Sequence, residues 1–241
     1  GTVNGLGLIP QNGLTFTNPF GLVASPDLTN VNAPALTVTS GFGITGQGKL
    51  IRISGIDLNG VIPATFTDIS ANANPVLVNP FEVVALGNNT YFVSEYATNA
   101  QGGGVRKITI DNAGNITGTP LVVFNGIDNP AGMTTDATNL YVCSNQNPTT
   151  GGAVYKIPFS VLNTTSNPST AGVVKINVAD VTDPFNFPWQ CKIDSSGGLV
   201  ISEGASVTPG TTITIGSQSG GIRYVPTGQL TAVRVLQSLE G

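Results

Sequence analysis

The stretch NPFEVVALGNNTYFVSEYATNAQGGGVRKITID, from Asn79 to Asp111, decides the fold. A Pro-led apolar run is followed by a Gly-Asn-Asn turn, then by an aromatic and β-branched run ending in Ser94-Glu95, then by a run that glycines introduce. Short apolar runs rich in Val, Ile, Thr, Tyr and Phe, separated by Gly and Asn, read as successive antiparallel strands. The same phrase recurs along the chain. Its openings are NPFGLVAS from Asn18, NPFEVVAL from Asn79, NPAGMTTD from Asn129 and FPWQCKID from Phe187, which makes Pro19, Pro80, Pro130 and Pro188 equivalent. Each opening is followed by a second run (ALTVTSG, TYFVSEY, LYVCSNQ, LVISEGA) and by a third that glycine introduces (GKLIRIS, GGVRKIT, GAVYKIP, GIRYVPT). A fourth run closes the unit (ATFTDIS, PLVVFNG, GVVKINV, LTAVRVL). No segment keeps a helical period.

Four short strands per unit, repeated at roughly 50 to 60 residues, predict an all-β protein of four-stranded antiparallel blades, a β-propeller. The expected blades span about residues 16–76, 77–126, 127–182 and 183–238 of a single domain covering 1–241. The segment LGLIPQNGLTFT before the first blade resembles the last strand of an earlier one, so the ring is expected to close as a small one, to belong to a larger one, or to be completed by other chains. An open ring would leave sheet faces and edges bare, which favours partnering or self-association.

Composition narrows the function. Only 9% of residues are charged, while 31 Gly and 16 Pro supply frequent turns. With 40% hydrophobic residues the chain folds, and its surface rests on Asn, Thr, Ser and Gln, a habit of exported proteins. Nine basic against thirteen acidic residues give no cationic face for nucleic acid. No apolar run approaches the ~20 residues of a membrane span. The opening GTVNGLGLIP lacks the basic and apolar regions of a signal peptide, which reads as a processed or excised chain. The absence of histidine removes His-centred triads and most zinc chemistry.

The phrase Pro-x-Gly-apolar, then apolar-Tyr-Val-x-Ser, then Gly-Gly-apolar-x-Lys-Ile resembles the NHL repeat and the gluconolactonase-like and strictosidine-synthase-like propellers, from about residue 16 to 238. The resemblance implies ligand groups around one mouth, supplied by the start of the innermost strand (Gly21, Glu82, Gly132, Gln190) and the end of the second (Ser40-Gly41, Ser94-Glu95, Ser144-Asn145, Ser202-Glu203). It makes Glu95, Asn145 and Glu203, with Glu82, candidate ligands of a divalent ion such as Ca²⁺, which would polarise a lactone carbonyl and activate water. The competing reading is that these residues end strands and bond turn backbone. Asp136 and Asp194, aligned near the innermost strand's end, are expected to cap turns.

Trp189 stands where Phe20, Phe81 and Ala131 stand in the other blades, and reads as inter-blade packing or as a platform for a sugar or small molecule, with Glu82 and Gln190 beside it at the mouth. Cys143 is aligned with Val93 and Ile201, and Cys191 with Leu22, Val83 and Met133. Both readings of that pair stay open: core thiols, or a disulfide closing a loop of about 48 residues. Asn88, Asn115 and Asn163 head glycosylation sequons in turns. Insertions at 163–170 and 205–221 lengthen two blades. The sequence therefore predicts a secreted, cell-surface or periplasmic binding or assembly module. Its alternatives are a metal-dependent gluconolactonase-like hydrolase and a structural subunit of an extracellular polymer.

Overall fold

The computed structural model describes residues 14, 16–26, 34–43, 48–55, 65–71, 77–87, 89–98, 103–112, 115–118, 121–124, 127–145, 152–162, 172–204 and 220–237. It is an all-β, propeller-like fold of four antiparallel sheets. The chain divides into two compact units, Gly1–Val93 with Arg106–Leu121, and Ser94–Val105 with Val122–Gly241, the division running through the second sheet.

The first sheet holds β1 (Leu22–Pro26), β2 (Pro34–Ser40), β3 (Lys49–Ser54) and β4 (Thr65–Asp68) in that order. The second holds β5 (Pro80–Leu86), β6 (Thr90–Glu95), β7 (Gly104–Thr109) and β8 (Leu121–Phe124), again in chain order. Chain-order meanders are what the repeated four-part phrase predicts. In the first unit the alternating apolar positions converge on one cluster of Leu50, Ile69, Leu77, Val83, Tyr91, Val93, Ile108 and Ile110. The hydroxyl of Thr39 on β2 donates to Phe81 O on β5 at 2.8 Å. A Cβ on Gly21 would stand 2.6 Å from that same carbonyl oxygen, so the approach of the two innermost strands requires glycine there.

In the second unit, β9 (Pro130–Thr135), β10 (Asn139–Ser144), β11 (Ala153–Pro158) and β12 (Val174–Lys175) form the third sheet, and a helical turn α1 (Phe159–Leu162) follows β11. The fourth sheet holds β14 (Pro188–Ile193), β15 (Leu199–Glu203), β16 (Gly221–Val225) and β17 (Thr231–Gln237), with β13 (Asn177–Val178) running parallel to β17 at its edge. The run GVVKINV, expected as one closing strand, is thus shared: Val174-Lys175 pair with β11 and Asn177-Val178 with β17, while Ile176 between them is buried. The core here joins Tyr141, Cys143 and Val154 of the third sheet, with Ile176 just after its last strand, to Phe185, Cys191, Leu199, Ile201, Val225 and Ala232.

Strand pairing corrects one alignment. Met133 faces Val142, and Cys191 faces Ile201. Since Met133 and Cys191 each lie three residues after the blade-opening proline, Val142, not Cys143, is the counterpart of Ile201. The cause is turn length: Thr135 pairs with Leu140 across four residues, Ile193 with Leu199 across five. Hence Ser144, not Asn145, occupies the place of Glu203, and both pair with the blade-opening proline, Pro130 and Pro188.

Candidate functional site

The residue before each blade-opening proline has a positive φ: 45° at Asn18, 45° at Asn79, 48° at Asn129 and 45° at Phe187. Proline pushes its predecessor out of the right-handed helical region, and among residues with a Cβ, Asn enters the left-handed one most readily. The amide side chain then ties this corner to the segment after a second strand. Asn18 Nδ2 donates to Phe42 O at 3.1 Å, Gly43 N donates to Asn79 Oδ1 at 3.1 Å, and Asn129 Nδ2 donates to Asn145 O at 3.2 Å. Phe187 has no such group. Its carbonyl accepts from Gly204 N at 3.0 Å, as Asn129 O accepts from Asn145 N at 3.0 Å. The thrice-repeated Asn-Pro is the sequence signal for this corner.

The second-strand ends clamp the same corner. The Ser40 hydroxyl donates to Thr17 O at 3.1 Å, and the Ser144 hydroxyl to Asp128 O at 2.7 Å; each acceptor precedes the left-handed Asn. In the fourth sheet the polarity reverses, and Glu203 Oε1 accepts from Asn186 N, just before Phe187, at 2.7 Å. Its other oxygen, Oε2, takes Arg223 Nε at 2.8 Å and Arg234 Nη2 at 3.2 Å. Asp183 bridges both arginines, 3.0 Å from Arg223 and 2.7 Å from Arg234, and the Arg223 guanidinium lies over the Phe185 ring. Bonding to Arg234, and after it the charge of Arg223, outweighs partial burial and holds the Asp183 carboxyl below its ordinary range. A buried carboxylate with two arginines and a backbone amide is satisfied by its own chain. The arginine partners were not anticipated; the isolated Arg inside the strand GIRYV was the available signal. Glu95 and Arg106 occupy the same two repeat positions in the second sheet, and each is buried. Glu82 is buried too, its Oε1 accepting from Val83 N at 3.2 Å.

Gln190 and Trp189 lie at the start of β14. A Cβ on Gly132 would meet Gln190 Oε1 at 2.4 Å and Trp189 O at 2.5 Å. The glycine of one innermost strand thus faces the long side chain of the next. The Trp189 indole stacks on Tyr96 with centroids 5.9 Å apart and planes 9° from parallel, and a Cβ on Gly204 would fall 2.2 Å from its Nε1. In the first unit, Phe20, Phe42 and Phe81 form a second aromatic group, with Phe20 and Phe81 centroids 3.9 Å apart. Beside the Trp189 pair, Ser144 and Pro188 converge on Gly152, whose Cβ would lie 3.2 Å from Ser144 O and 2.1 Å from Pro188 Cδ. Asn145 and Trp189, each one residue further on, therefore close the same end of the third and fourth sheets. Asn145 is buried, yet neither its Nδ2 nor its Oδ1 has a protein partner.

The aspartates at the innermost-strand ends are turn caps. Asp136 Oδ1 accepts from Thr138 N and Asn139 N, both at 2.7 Å, and Oδ2 from the Tyr141 hydroxyl at 2.8 Å. Burial alone would raise its carboxyl, but Thr138, Asn139 and Tyr141 together lower it to about 2. Asp194 caps its five-residue turn through Ser196 and Gly198, and bonding to the Ser196 hydroxyl foremost lowers its carboxyl. Cys143 and Cys191 are buried thiols of one cluster, not joined in a disulfide, Cys191 Sγ lying 3.9 Å from Gly132 O and Tyr141 O. Asn115 is exposed, its amide 3.3 Å from Asp111 Oδ2. Asn88, Asn163, the 163–170 insertion and residues 205–219 of the second insertion lie outside the described residues.

Among the described residues, no three His, Cys, Asp or Glu side chains gather where they could hold an ion. Glu203 does not fit an ion ligand as it stands, since both oxygens are engaged. No helix among the described residues is long and apolar enough to cross a membrane.

No protein-family model matches the chain, and no curated protein matches it. Among solved structures, a chain from an S. cerevisiae complex of Dbp5 with Nup159, Gle1, IP6 and ADP matches with a TM-score of 0.42 and 9% identity, over 84% of this chain and 45% of that one. This chain therefore spans less than half of that protein's length. A protein provisionally assigned as a gluconolactonase matches with a TM-score of 0.40 and 13% identity, over 94% of this chain and 91% of that one.

Proposed function

We propose that the chain is an exported interaction module that engages a ligand at the blade ends marked by Tyr96, Trp189 and Asn145. The observation that carries this reading is the amide of Asn145. A buried amide without a partner costs on the order of 1–3 kcal/mol, and here it lies at the end of the third and fourth sheets that also carries a stacked aromatic pair. An amide that both donates and accepts, at the same blade ends as aromatic faces, suits a saccharide, whose rim is polar and whose ring faces carry C–H groups. Export is supported by a surface of Asn, Thr and Ser with few charges.

Trp189 is the sole tryptophan, so its emission reports on this place alone. Titration with a panel of soluble oligosaccharides is expected to give a saturable change in emission that Asn145→Ala removes. No change with any member of the panel would remove the saccharide from this reading.

The alternative is a divalent-metal-dependent lactone hydrolase with Glu82, Glu95, Asn145 and Glu203 as ligands. That reading requires Glu203 to leave Arg223, Arg234 and the Asn186 amide before it can bind an ion.

A further inference from the structure

Phe187 holds a φ of 45° at the corner where the other three blades place Asn18, Asn79 and Asn129. A bulky side chain is rare in this left-handed region, because its Cβ crowds the backbone carbonyl, while Asn enters it at little cost. Phe187 also forgoes the amide bonds by which Asn18 and Asn129 reach Phe42 O and Asn145 O. The fourth corner is held by other means. Gly204 N donates to Phe187 O at 3.0 Å, and Asn186 N donates to Glu203 Oε1 at 2.7 Å. Phe185, two residues earlier, fills the core of the second unit, whereas Phe187 is only partly buried.

The backbone of Phe187 stands at the Trp189 end. Gly204, bonded to Phe187 O, is the residue whose Cβ would fall 2.2 Å from Trp189 Nε1. Pro188, next in the chain, abuts Gly152, which also adjoins the carbonyl of Ser144, just before Asn145. Phe187 thus shares this end of the third and fourth sheets with the stack of Tyr96 on Trp189 and with the buried Asn145 amide that has no protein partner. An aromatic residue set in a strained corner, where an unpaired amide and two further rings already gather, points to function and not to folding.

We propose that Phe187 is a ligand-contacting residue of this end, its ring adding a third aromatic face for the C–H surface of a saccharide. The inference rests on the saccharide binding proposed above and identifies a residue that sets its affinity. It also assigns Phe187 a defined trade-off: Asn at this position fits the corner better, and Phe holds the ligand better.

Thermal unfolding and calorimetric titration of wild type, Phe187→Asn and Phe187→Leu test this, with the same panel of soluble oligosaccharides. Phe187→Asn is expected to raise the melting temperature by about 2–4 °C, the effect of relieving a left-handed Phe in a chain of this size. It should weaken the wild type's tightest oligosaccharide by about three- to tenfold, the worth of one aromatic face. Phe187→Leu loses the ring but keeps the backbone cost, so it should weaken binding as much without raising the melting temperature. A Phe187→Asn variant no more stable than wild type would make Phe187 a packing residue and overturn the proposal. Undiminished affinity in either variant would overturn it while leaving the saccharide reading intact. A wild type that binds no member of the panel would remove that reading and this inference with it.

Discussion

Arg223 Nε lies 2.8 Å from Glu203 Oε2 inside the fourth sheet, with side-chain exposures of 1% and 0%. Removing one partner of such a buried pair leaves the other charged, desolvated and unpaired. Glu203→Ala is therefore expected to lower the unfolding free energy by about 3 kcal/mol, because two arginines and the Asn186 amide lose their acceptor. Ser144→Ala, at the same repeat position but with a single neutral hydrogen bond, is expected to cost about 1 kcal/mol. Urea denaturation of both variants checks the ordering; equal losses would show that the arginines find other partners.

The corner before each blade-opening proline gives a second prediction. Asn129→Val puts a β-branched side chain into the left-handed region and deletes the bond to Asn145 O, at a cost of about 2 kcal/mol or more. Asn129→Gly keeps the backbone conformation accessible and should cost much less. Indistinguishable melting temperatures for the two variants would show that the positive φ places no demand on the residue.

Crowding at the innermost strands should be asymmetric. In Gly132→Ala the new methyl meets the Trp189 carbonyl, which cannot rotate away, so the loss of about 1–3 kcal/mol should persist in a Gln190→Ala background. In Gly204→Ala the obstacle is the Trp189 indole edge, a side chain that can turn. There the stack on Tyr96 should open, and the tryptophan emission should move to longer wavelength.

Asp136 sets a pH dependence of defined sign. Its carboxyl is depressed in the folded protein from 3.8 to about 2. The stability it contributes is thus fully present above its unfolded value and lost as pH falls through the folded one. The wild type should weaken between about pH 4 and pH 2 more steeply than Asp136→Asn. Tyr141→Phe, which removes one hydrogen bond to the carboxylate, should move that loss to higher pH. Parallel acid titrations of wild type and Asp136→Asn, with the same slope in that window, would contradict the role of this turn.

Four blades were legible in the sequence because Pro19, Pro80, Pro130 and Pro188 each start the same series of strands, and strand composition survives loop variation. The site was legible only in outline. Matching by serine placed Asn145 with Glu95 and Glu203, but a turn one residue shorter after Thr135 shifts β10, so Ser144 takes that place. Residue type also conceals engagement: Glu203 has the chemistry of an ion ligand, and only the fold reveals that Arg223, Arg234 and Asn186 already surround it. The split of GVVKINV between two sheets is a tertiary choice, set by burial of Ile176, that strand propensity cannot express.

With both oxygens engaged by Arg223, Arg234 and the Asn186 amide, the Glu203 carboxylate at the end of β15 is expected to hold its sheet together and not an ion. Thermal unfolding of wild type and Glu203→Gln, each with and without millimolar Ca²⁺, tests it most directly. Ca²⁺ is expected to leave the wild-type melting temperature unchanged, and Glu203→Gln to lower it equally in both conditions. A Ca²⁺-dependent rise in the wild type that Glu203→Gln abolishes would contradict it.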